Sequence, residues 1–201
     1  TQAKIILASQ SPRRRQLLEN AGLEIEVIPS DFDESQVALC APRDYVGKLA
    51  YAKAAAVAGR YPQSWVIAAD TIVLIEDQIL NKPTSPEDAR RMLTRLSGSR
   101  HEVLTGFQIV CHQRRFSHAT VVTTEVAFKK LSPVEIDWYV SSGEPFDKAG
   151  AYAIQGLAAA FVRSLIGSYS NVVGLPLFET ASVLKSRNLL RWHPPEPADA
   201  P

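Results

Sequence analysis

The sequence predicts an α/β protein whose mixed β-sheet is flanked by helices. In the first hundred residues, short apolar runs typical of buried strands alternate with helical patterns. Two long β-rich segments, 103–110 and 120–128, then follow one another without an intervening helix. A purely parallel sheet would keep the alternation to its end, so we expect both parallel and antiparallel strands in one sheet. The composition, 46% hydrophobic and 21% charged residues, is that of a globular chain.

The first half of the chain is expected to contain four strands and three helices. Ser11-Pro12 and Ser85-Pro86 each begin a helix, because serine caps a helix N-terminus and proline is tolerated at the first helical position. Glycine ends two of these helices, at Gly22 and Gly98. The strands are expected at 5–8, 25–28, 65–69 and 72–75, the helices at 11–22, 42–60 and 85–98, an acidic loop at 29–41 and a tight turn at 76–77.

The second half is expected to add three strands and two helices. Ser132-Pro133 begins a helix that ends by Gly143, and Gly167-Ser168 forms a turn. The strands are expected at 103–110, 120–128 and 161–165, and the helices at 132–143 and 177–187. No linker interrupts residues 1–190, so we expect a single domain there. The segment 191–201 contains four prolines in eleven residues and is expected to be a disordered tail.

Charge and hydropathy exclude several classes of function. The 22 basic and 21 acidic residues nearly cancel, so we expect no nucleic-acid partner. No segment approaches the roughly 18 apolar residues of a membrane helix, and the N-terminal apolar run is shorter than the roughly 7–15 residues of a signal-peptide core. The two cysteines, Cys40 and Cys111, form no metal-binding or disulfide pattern. These features predict a cytoplasmic protein without a membrane partner.

The segment from Ser9 to Arg15 is a candidate anion site. A buried strand runs there into a polar turn and then into a helix N-terminus, where backbone N–H groups and the helix dipole favour an anion. Arg13 and Arg14 add forked donors that match phosphate oxygens. The competing interpretation is that the serines only cap the helix and that the arginines are solvated. Neither a GxxxxGK[ST] nor a GxGxxG motif is present.

Acidic residues at two places are candidates for metal or water chemistry. Asp31, Asp33 and Glu34 lie within one loop and have the oxygen ligands that Mg²⁺ prefers, although a solvated acidic loop has the same pattern. Asp70 follows the apolar run WVIAA, so we expect it at a strand end beside a crevice, where a carboxylate can hold a metal or polarise water. A turn-initiating aspartate is the alternative. Lys82 follows the next apolar stretch and can bind phosphate as a point charge.

The segment 146–156 is a candidate base-binding loop. It contains two glycines and no clear period, so its backbone can approach a ligand closely. Its Gln155 side chain has both a donor and an acceptor and can read a base edge, while an ordinary connecting loop is the alternative. The four histidines have no metal-ligand spacing, and no GxSxG motif occurs, which argues against a zinc protease and a serine hydrolase.

Eight segments in order carry a family resemblance that covers the chain from Lys4 to about Leu184. They are LASQSPRRRQLL (7–18), DFDES (31–35), LAYAKA (49–54), AADTIV (68–73), LNKP (80–83), MLTRLSG (92–98), DKAGAYAIQG (147–156) and GSYSNVVGLPL (167–177). Together they resemble the Maf family of nucleoside triphosphate pyrophosphatases. The resemblance implies an elongated α/β fold with a mixed sheet, similar to inosine triphosphate pyrophosphatases, and a homodimer.

The same resemblance implies the reaction NTP + H2O → NMP + PPi with a divalent cation, Mg²⁺ or Mn²⁺. Its GAYAIQG segment looks like the branch that acts on dTTP and UTP, with modified pyrimidine triphosphates as further candidates. The branch that acts on 7-methyl-GTP usually has a Ser-Glu pair where this chain has Ile154-Gln155. Departures from the family pattern are small: Arg15 follows the usual arginine pair, and the Pro-rich tail is extra.

Residue roles follow from the match to the family motifs. The resemblance implies catalytic roles for Asp70, Lys82 and Glu34, with Glu34 and Asp70 also holding the metal ion. The sequence leaves open whether Asp70 is the base or a metal ligand. The substrate-binding residues that the resemblance implies are Ser9, Arg13, Arg14, Lys53, Thr71 and Gln155.

Three other functions remain as alternatives. The first is the same chemistry on a modified purine such as 7-methyl-GTP. The second is a non-catalytic regulator that binds nucleotide without turnover, against which the joint presence of Asp70, Lys82 and Glu34 argues. The third is an RNA- or protein-binding module that uses the arginine cluster, against which the near-neutral charge argues.

Overall fold

The computed structural model describes residues 3–190 and shows helices on both faces of one seven-stranded β-sheet. The strands are β1 (Ile5–Leu7), β2 (Glu26–Val27), β3 (Trp65–Ile75), β4 (Gln78–Leu80), β5 (Arg100–Cys111), β6 (Phe116–Phe128) and β7 (Val162–Ile166). The α-helices are α1 (Pro12–Asn20), α2 (Pro42–Arg60), α3 (Pro86–Leu96), α4 (Pro133–Ser141), α5 (Tyr169–Val173) and α6 (Leu177–Ser186). Short 3-10 helices occupy Glu34–Gln36, Glu144–Asp147, Ala149–Ala151 and Leu157–Phe161.

The sheet has a parallel part and an antiparallel part that meet at β3. The strand order is β2-β1-β3-β5-β6-β7; β1 pairs in parallel with β2 and β3, and the remaining pairs are antiparallel. Strand β5 pairs with β3 from Val66 to Leu74, whereas β1 pairs with it only up to Ile67 and β4 only from Val73. Within residues 3–190, the segment 68–72 of β3 therefore has no strand partner on the β1 side. This gap opens the sheet where the candidate site lies.

Helix α2 packs on one face of the sheet, and the other helices pack on the opposite face. The buried side of α2 includes Ala54 and Val57, which contact Val66 and Ala68 of β3. On the opposite face, one apolar cluster joins α1 and α6 to β3 and β5, and a second joins α3 and α4 to β3, β5 and β6. Successive strand residues point to opposite faces, so neighbouring side chains of β3 reach both layers.

The predicted fold class, a mixed sheet flanked by helices, is confirmed. The prediction of two apolar runs at 65–69 and 72–75, with Asp70 at the end of the first, is wrong, because β3 is one continuous strand from Trp65 to Ile75. Pairing with β5 continues through this position, where Asp70 lies opposite Gly106. The tail predicted at 191–201 lies outside the described residues. Within residues 3–190, no helix is both long and apolar enough to cross a membrane.

Candidate functional site

A cleft of about 770 Å³ lies at the gap in the sheet. The wall on one side is the turn after β1 and the start of α1, and the wall on the other is the loop 81–82 with the segment 147–155. All nine side chains that the sequence singled out line this cleft: Ser9, Arg13, Arg14, Glu34, Lys53, Asp70, Thr71, Lys82 and Gln155. Segments separated by up to 146 positions in the chain are thus brought together.

Ser9 and Arg14 form a fixed corner of the cleft. Ser11 caps α1 as predicted, with its Oγ accepting from the Arg14 N–H at 3.4 Å, and Pro12 follows at the first helical position. The Arg14 guanidinium donates to Ser9 Oγ at 3.0 Å and to the carbonyl of Gly174 at 2.7 Å. Arg15 points elsewhere and pairs with Glu19 on the surface. The solvated alternative therefore describes Arg15, whereas Arg13 and Arg14 line the cleft.

A chain of hydroxyl groups continues from Arg14 into the protein interior. Arg14 Nη2 donates to Thr71 Oγ1 at 3.1 Å, and Thr71 Oγ1 lies 2.9 Å from Thr105 Oγ1. Thr105 is fully buried and donates to the carbonyl of Asn171 at 3.0 Å. Asn171, also fully buried, donates to the carbonyl of Val103 at 2.9 Å. The Thr71 hydroxyl that the sequence assigned to substrate choice thus also orients Arg14.

Lys53 joins two carboxylates at the floor of the cleft. Its ammonium group contacts Asp70 Oδ1 and lies 2.8 Å from Glu34 Oε1. The side chains of Lys53 and Asp70 are only 14% and 12% exposed, whereas that of Glu34 is 57% exposed. Glu34 therefore lies at the mouth of the cleft and Asp70 at its floor. The other acids of the loop 31–34 serve elsewhere, since Asp31 lies 3.7 Å from Arg60 and Asp33 caps the 3-10 helix through Ser35.

The two carboxylates that contact Lys53 are suited to hold a divalent cation that binds together with a phosphate. The described residues contain no group of three or more His, Cys, Asp or Glu side chains able to hold an ion. Mg²⁺ is usually held by one or two carboxylates together with waters and substrate phosphates. Glu34 and Asp70 supply two carboxylates within reach of one ammonium group. They are the two side chains that would hold the cation.

The far wall of the cleft carries more positive charge than the sequence indicated. Lys82 lines the wall as expected, and Lys148 joins it from the 146–156 segment. Lys148 donates to the Glu144 carbonyl at 2.7 Å and contacts Asp147. Asp147 also lies 3.9 Å from Arg13, so this ion pair crosses the cleft from one wall to the other. A phosphate that binds Arg13 would compete with this contact.

The cleft also contains side chains that no sequence motif indicated, among them two aromatic rings and an amide. Phe32, Tyr45 and Asn81 also line the cleft. Burial raises the pKa of Tyr45, and the nearby charges of Asp70 and Glu34 raise it further, so its hydroxyl remains a donor. Tyr45 begins the second turn of α2, about two turns before Lys53, and this spacing of eight residues along the helix was the available signal.

Comparisons with known proteins agree with this geometry. The family model described as "Maf: Maf-like protein" matches residues 4–187. The chain is 54% identical over 198 residues to a dTTP/UTP pyrophosphatase of Anaeromyxobacter dehalogenans, covering 96% of this chain and 98% of that protein. It is 49% identical over 185 residues to the dTTP/UTP pyrophosphatase of Vibrio cholerae, covering 92% and 98%.

A solved structure supports the fold. The Ham1 protein of Staphylococcus aureus matches with a TM-score of 0.56 at 14% identity, over 92% of this chain and 99% of that one. At this identity the likeness concerns the fold alone. The family model and the curated relatives extend over nearly the whole chain. The chain therefore belongs to the Maf-like protein family.

Proposed function

We propose that this protein is a nucleoside triphosphate pyrophosphatase that hydrolyses dTTP and UTP to the monophosphate and pyrophosphate. The observation that carries the proposal is a low-exposure carboxylate, Asp70, at the floor of a cleft that is lined by five cations. These cations are Arg13, Arg14, Lys53, Lys82 and Lys148. The curated relatives named dTTP/UTP pyrophosphatase, at 54% and 49% identity, supply the reaction and the bases. Modified pyrimidine triphosphates are further candidate substrates.

The cations bind and orient the polyphosphate. Arg13 and Lys82 extend from opposite walls, and Lys53 lies between them at the floor. Charged donors fixed in a low-exposure cleft stabilise the charge that develops on phosphate oxygens without reorganising during the reaction. At the N-terminus of α1 the Arg13 backbone N–H adds a donor, since Pro12 has none and Ser11 Oγ accepts from the Arg14 N–H. The Arg14 guanidinium donates three hydrogen bonds to the protein. It therefore contributes to phosphate binding as a fixed positive charge, with its remaining N–H groups facing the cleft.

Asp70 is the residue proposed to act on the attacking water. Its position in the middle of β3 is rigid, because backbone pairing with β5 continues on both sides of it. Lys53 fixes the orientation of one carboxylate oxygen. The other oxygen is available to orient or deprotonate a water beside the α-phosphate. Glu34 and Asp70 would hold a divalent cation, Mg²⁺ or Mn²⁺, whose chemistry is to neutralise phosphate charge when bound with the substrate.

Gln155 is proposed to read the pyrimidine. Its side chain is exposed at the rim of the cleft and makes no hydrogen bond to the part of the chain that the structure describes. An amide offers one acceptor and two donors, and a site that pairs them with one base edge rejects bases that leave them unpaired. We further propose that the enzyme is cytoplasmic, as its charge, hydropathy and cysteine content predict, and that it acts as a homodimer, as the family resemblance implies.

The test is product identity from a panel of triphosphates. The protein is incubated with Mg²⁺ or Mn²⁺ and with common and modified nucleoside triphosphates, and pyrophosphate and orthophosphate are assayed separately. We expect pyrophosphate and monophosphate from dTTP and UTP, and none after chelation of the metal. Pyrophosphate from a methylated purine alone would keep the chemistry and overturn the base assignment. Nucleotide binding without any product would instead support a non-catalytic regulator.

A further inference from the structure

The Gln155 side chain is carried by a tight turn. The Gly156 N–H donates to the Ala153 carbonyl at 3.1 Å, which closes a turn with Ile154 and Gln155 at its centre. A 3-10 helix begins immediately afterwards, at Leu157. Gln155 is exposed, so its own side chain does not hold the turn in place. Its position relative to the cleft depends on what fixes the two ends of the turn.

Glu144 fixes the far end of this turn from thirteen residues away. Glu144 Oε2 accepts from the Leu157 N–H at 3.0 Å, which caps the 3-10 helix that Gly156 leaves without a side-chain cap. A Cβ atom on Gly156 would lie 2.2 Å from Glu144 Oε1. The carboxylate therefore packs directly against the Gly156 backbone, and it can do so only because that residue has no side chain.

Tyr139 holds this carboxylate in place from the protein interior. Tyr139 is fully buried in α4, and its hydroxyl donates to Glu144 Oε1 at 2.9 Å. Burial raises the pKa of Tyr139 above its ordinary value, the bond to Glu144 raises it further, and a backbone hydrogen bond from Ala153 opposes the rise. The hydroxyl thus remains protonated and donates to Glu144.

We propose that Glu144 and Tyr139 are positioning residues for base selection, because together they hold the turn that presents Gln155 to the cleft. This inference rests on the proposed function and deepens it. The Glu144 carboxylate bonds to the backbone of this turn and to Tyr139, and within the described residues it forms no ion pair with a phosphate-binding side chain. Loss of the Glu144 and Tyr139 contacts should therefore change the preference between bases more than it changes the binding and hydrolysis of the polyphosphate.

The experiment compares kcat/KM for dTTP with kcat/KM for dCTP. Glu144→Ala removes the bond to the turn itself and should lower the dTTP-to-dCTP ratio by about tenfold, the value of a hydrogen bond that is lost. Tyr139→Phe removes only the bond that holds Glu144 and should lower the ratio less. Glu144→Gln should recover part of the ratio, since its amide oxygen can accept from Leu157 and its NH2 can donate to the tyrosine oxygen. Asp137→Asn, which removes an exposed carboxylate from α4, is the matched control and should leave the ratio unchanged.

A second measurement needs no substrate. Amide hydrogen exchange at Leu157 should accelerate in Glu144→Ala and stay unchanged in Asp137→Asn. Gly156→Ala should lower the ratio in the wild-type background, because its methyl group displaces the carboxylate, and should have little further effect in the Glu144→Ala background.

The outcomes separate the inference from the proposed function. If the wild-type protein releases no pyrophosphate from dTTP or UTP, the proposed function fails. Amide hydrogen exchange at Leu157 still tests whether Glu144 holds the turn. If it does release pyrophosphate, a Glu144→Ala variant that lowers kcat/KM for both nucleotides by one common factor would overturn the inference. Unchanged exchange at Leu157 would overturn it as well.

Discussion

Arg14 shows how partners from distant segments can hold one side chain in a single orientation. Its three guanidinium nitrogens donate to Ser9, Gly174 and Thr71, so the planar fork has a single orientation. Burial lowers the pKa of Arg14, and the charge of Asp70 opposes this shift, so the guanidinium remains protonated beside the carboxylate. The cost of holding a charge at low exposure is offset by these hydrogen bonds.

Thr105 is predicted to support Arg14 through Thr71. Thr105→Val keeps the side-chain volume but removes the hydroxyl that bridges Thr71 Oγ1 and the Asn171 carbonyl. A buried acceptor would lose its donor, so we expect the free energy of unfolding to fall by about 1–3 kcal/mol. KM for the triphosphate should rise severalfold while kcat changes less. Thermal unfolding and steady-state kinetics measure the two effects, with Thr120→Val on β6 as the control. Unchanged values in both measurements would contradict this role.

Asp70 is predicted to be required for turnover but not for the fold. Asp70→Asn retains the size of the side chain and removes the charge that a base or a metal ligand needs, so turnover should fall by at least about a hundredfold. The melting temperature should stay near the wild-type value, since the amide oxygen can still accept from Lys53. The matched control is Asp77→Asn in the exposed β3–β4 turn. Near-normal pyrophosphate release by the Asp70 variant would remove Asp70 from the mechanism.

At the scale of elements, local chemistry predicted the ends of helices better than the lengths of strands. Prolines 12, 42, 86 and 133 open helices where they were expected, because a cap and a fixed φ act locally. The Glu76-Asp77 turn also appears, with both residues at positive φ. The sequence predicted two strands in place of β3, separated at Asp70, because a carboxylate inside a strand is unfavourable unless it has a partner. That partner is Lys53, and its proximity is a tertiary contact that no local pattern contains.

The close packing of α2 on β5 is predicted to require a glycine at position 106. A Cβ atom on Gly106 would lie 2.6 Å from the Val46 carbonyl oxygen, so the helix backbone rests directly on the strand. Gly106→Ala should push α2 away, lower the free energy of unfolding by about 1–3 kcal/mol and lower activity, because α2 carries Lys53.

The matched control for this contact lies on the same helix. Gly59 is exposed near the end of α2, and a Cβ atom there would meet nothing within 4 Å. Gly59→Ala should therefore stabilise the protein by about 0.5–1 kcal/mol through helix propensity. Denaturant unfolding compares the two alanine variants. Equal effects on stability would show that the helix–strand spacing does not depend on Gly106.

At the scale of the whole molecule, the sequence identified nine residues of the cleft but not their partners. The nine residues were found because their motifs are local and their family order is recognisable. Lys148 and Tyr45 were missed, since each belongs to the cleft only after distant elements pack together. The hydroxyl chain from Thr71 to Asn171 was also missed, because buried threonines in a β-rich segment look like ordinary strand residues.

The stability of the whole fold is predicted to fall in mild acid because of His101. This side chain is 2% exposed, and its Nε2 lies 2.7 Å from the Tyr152 hydroxyl in the core. Burial lowers the pKa of His101 from 6.5 to about 4. Since the folded pKa lies below the unfolded value, the unfolded chain takes up a proton first as the pH falls. The free energy of unfolding should therefore decrease between about pH 6.5 and about pH 4, by about 2 kcal/mol at pH 5.

Comparison of unfolding at pH 7 and pH 5 isolates this contribution. His101→Gln should be less stable than the wild type at pH 7, because the ring packs edge-on against Phe128 and Tyr152. Its loss of stability from pH 7 to pH 5 should nevertheless be smaller than in the wild type by about 2 kcal/mol, since the proton acceptor is gone. His112→Gln, at an exposed position after β5, should keep the wild-type difference. If His101→Gln also keeps it, the acid sensitivity of the fold has its origin in other groups.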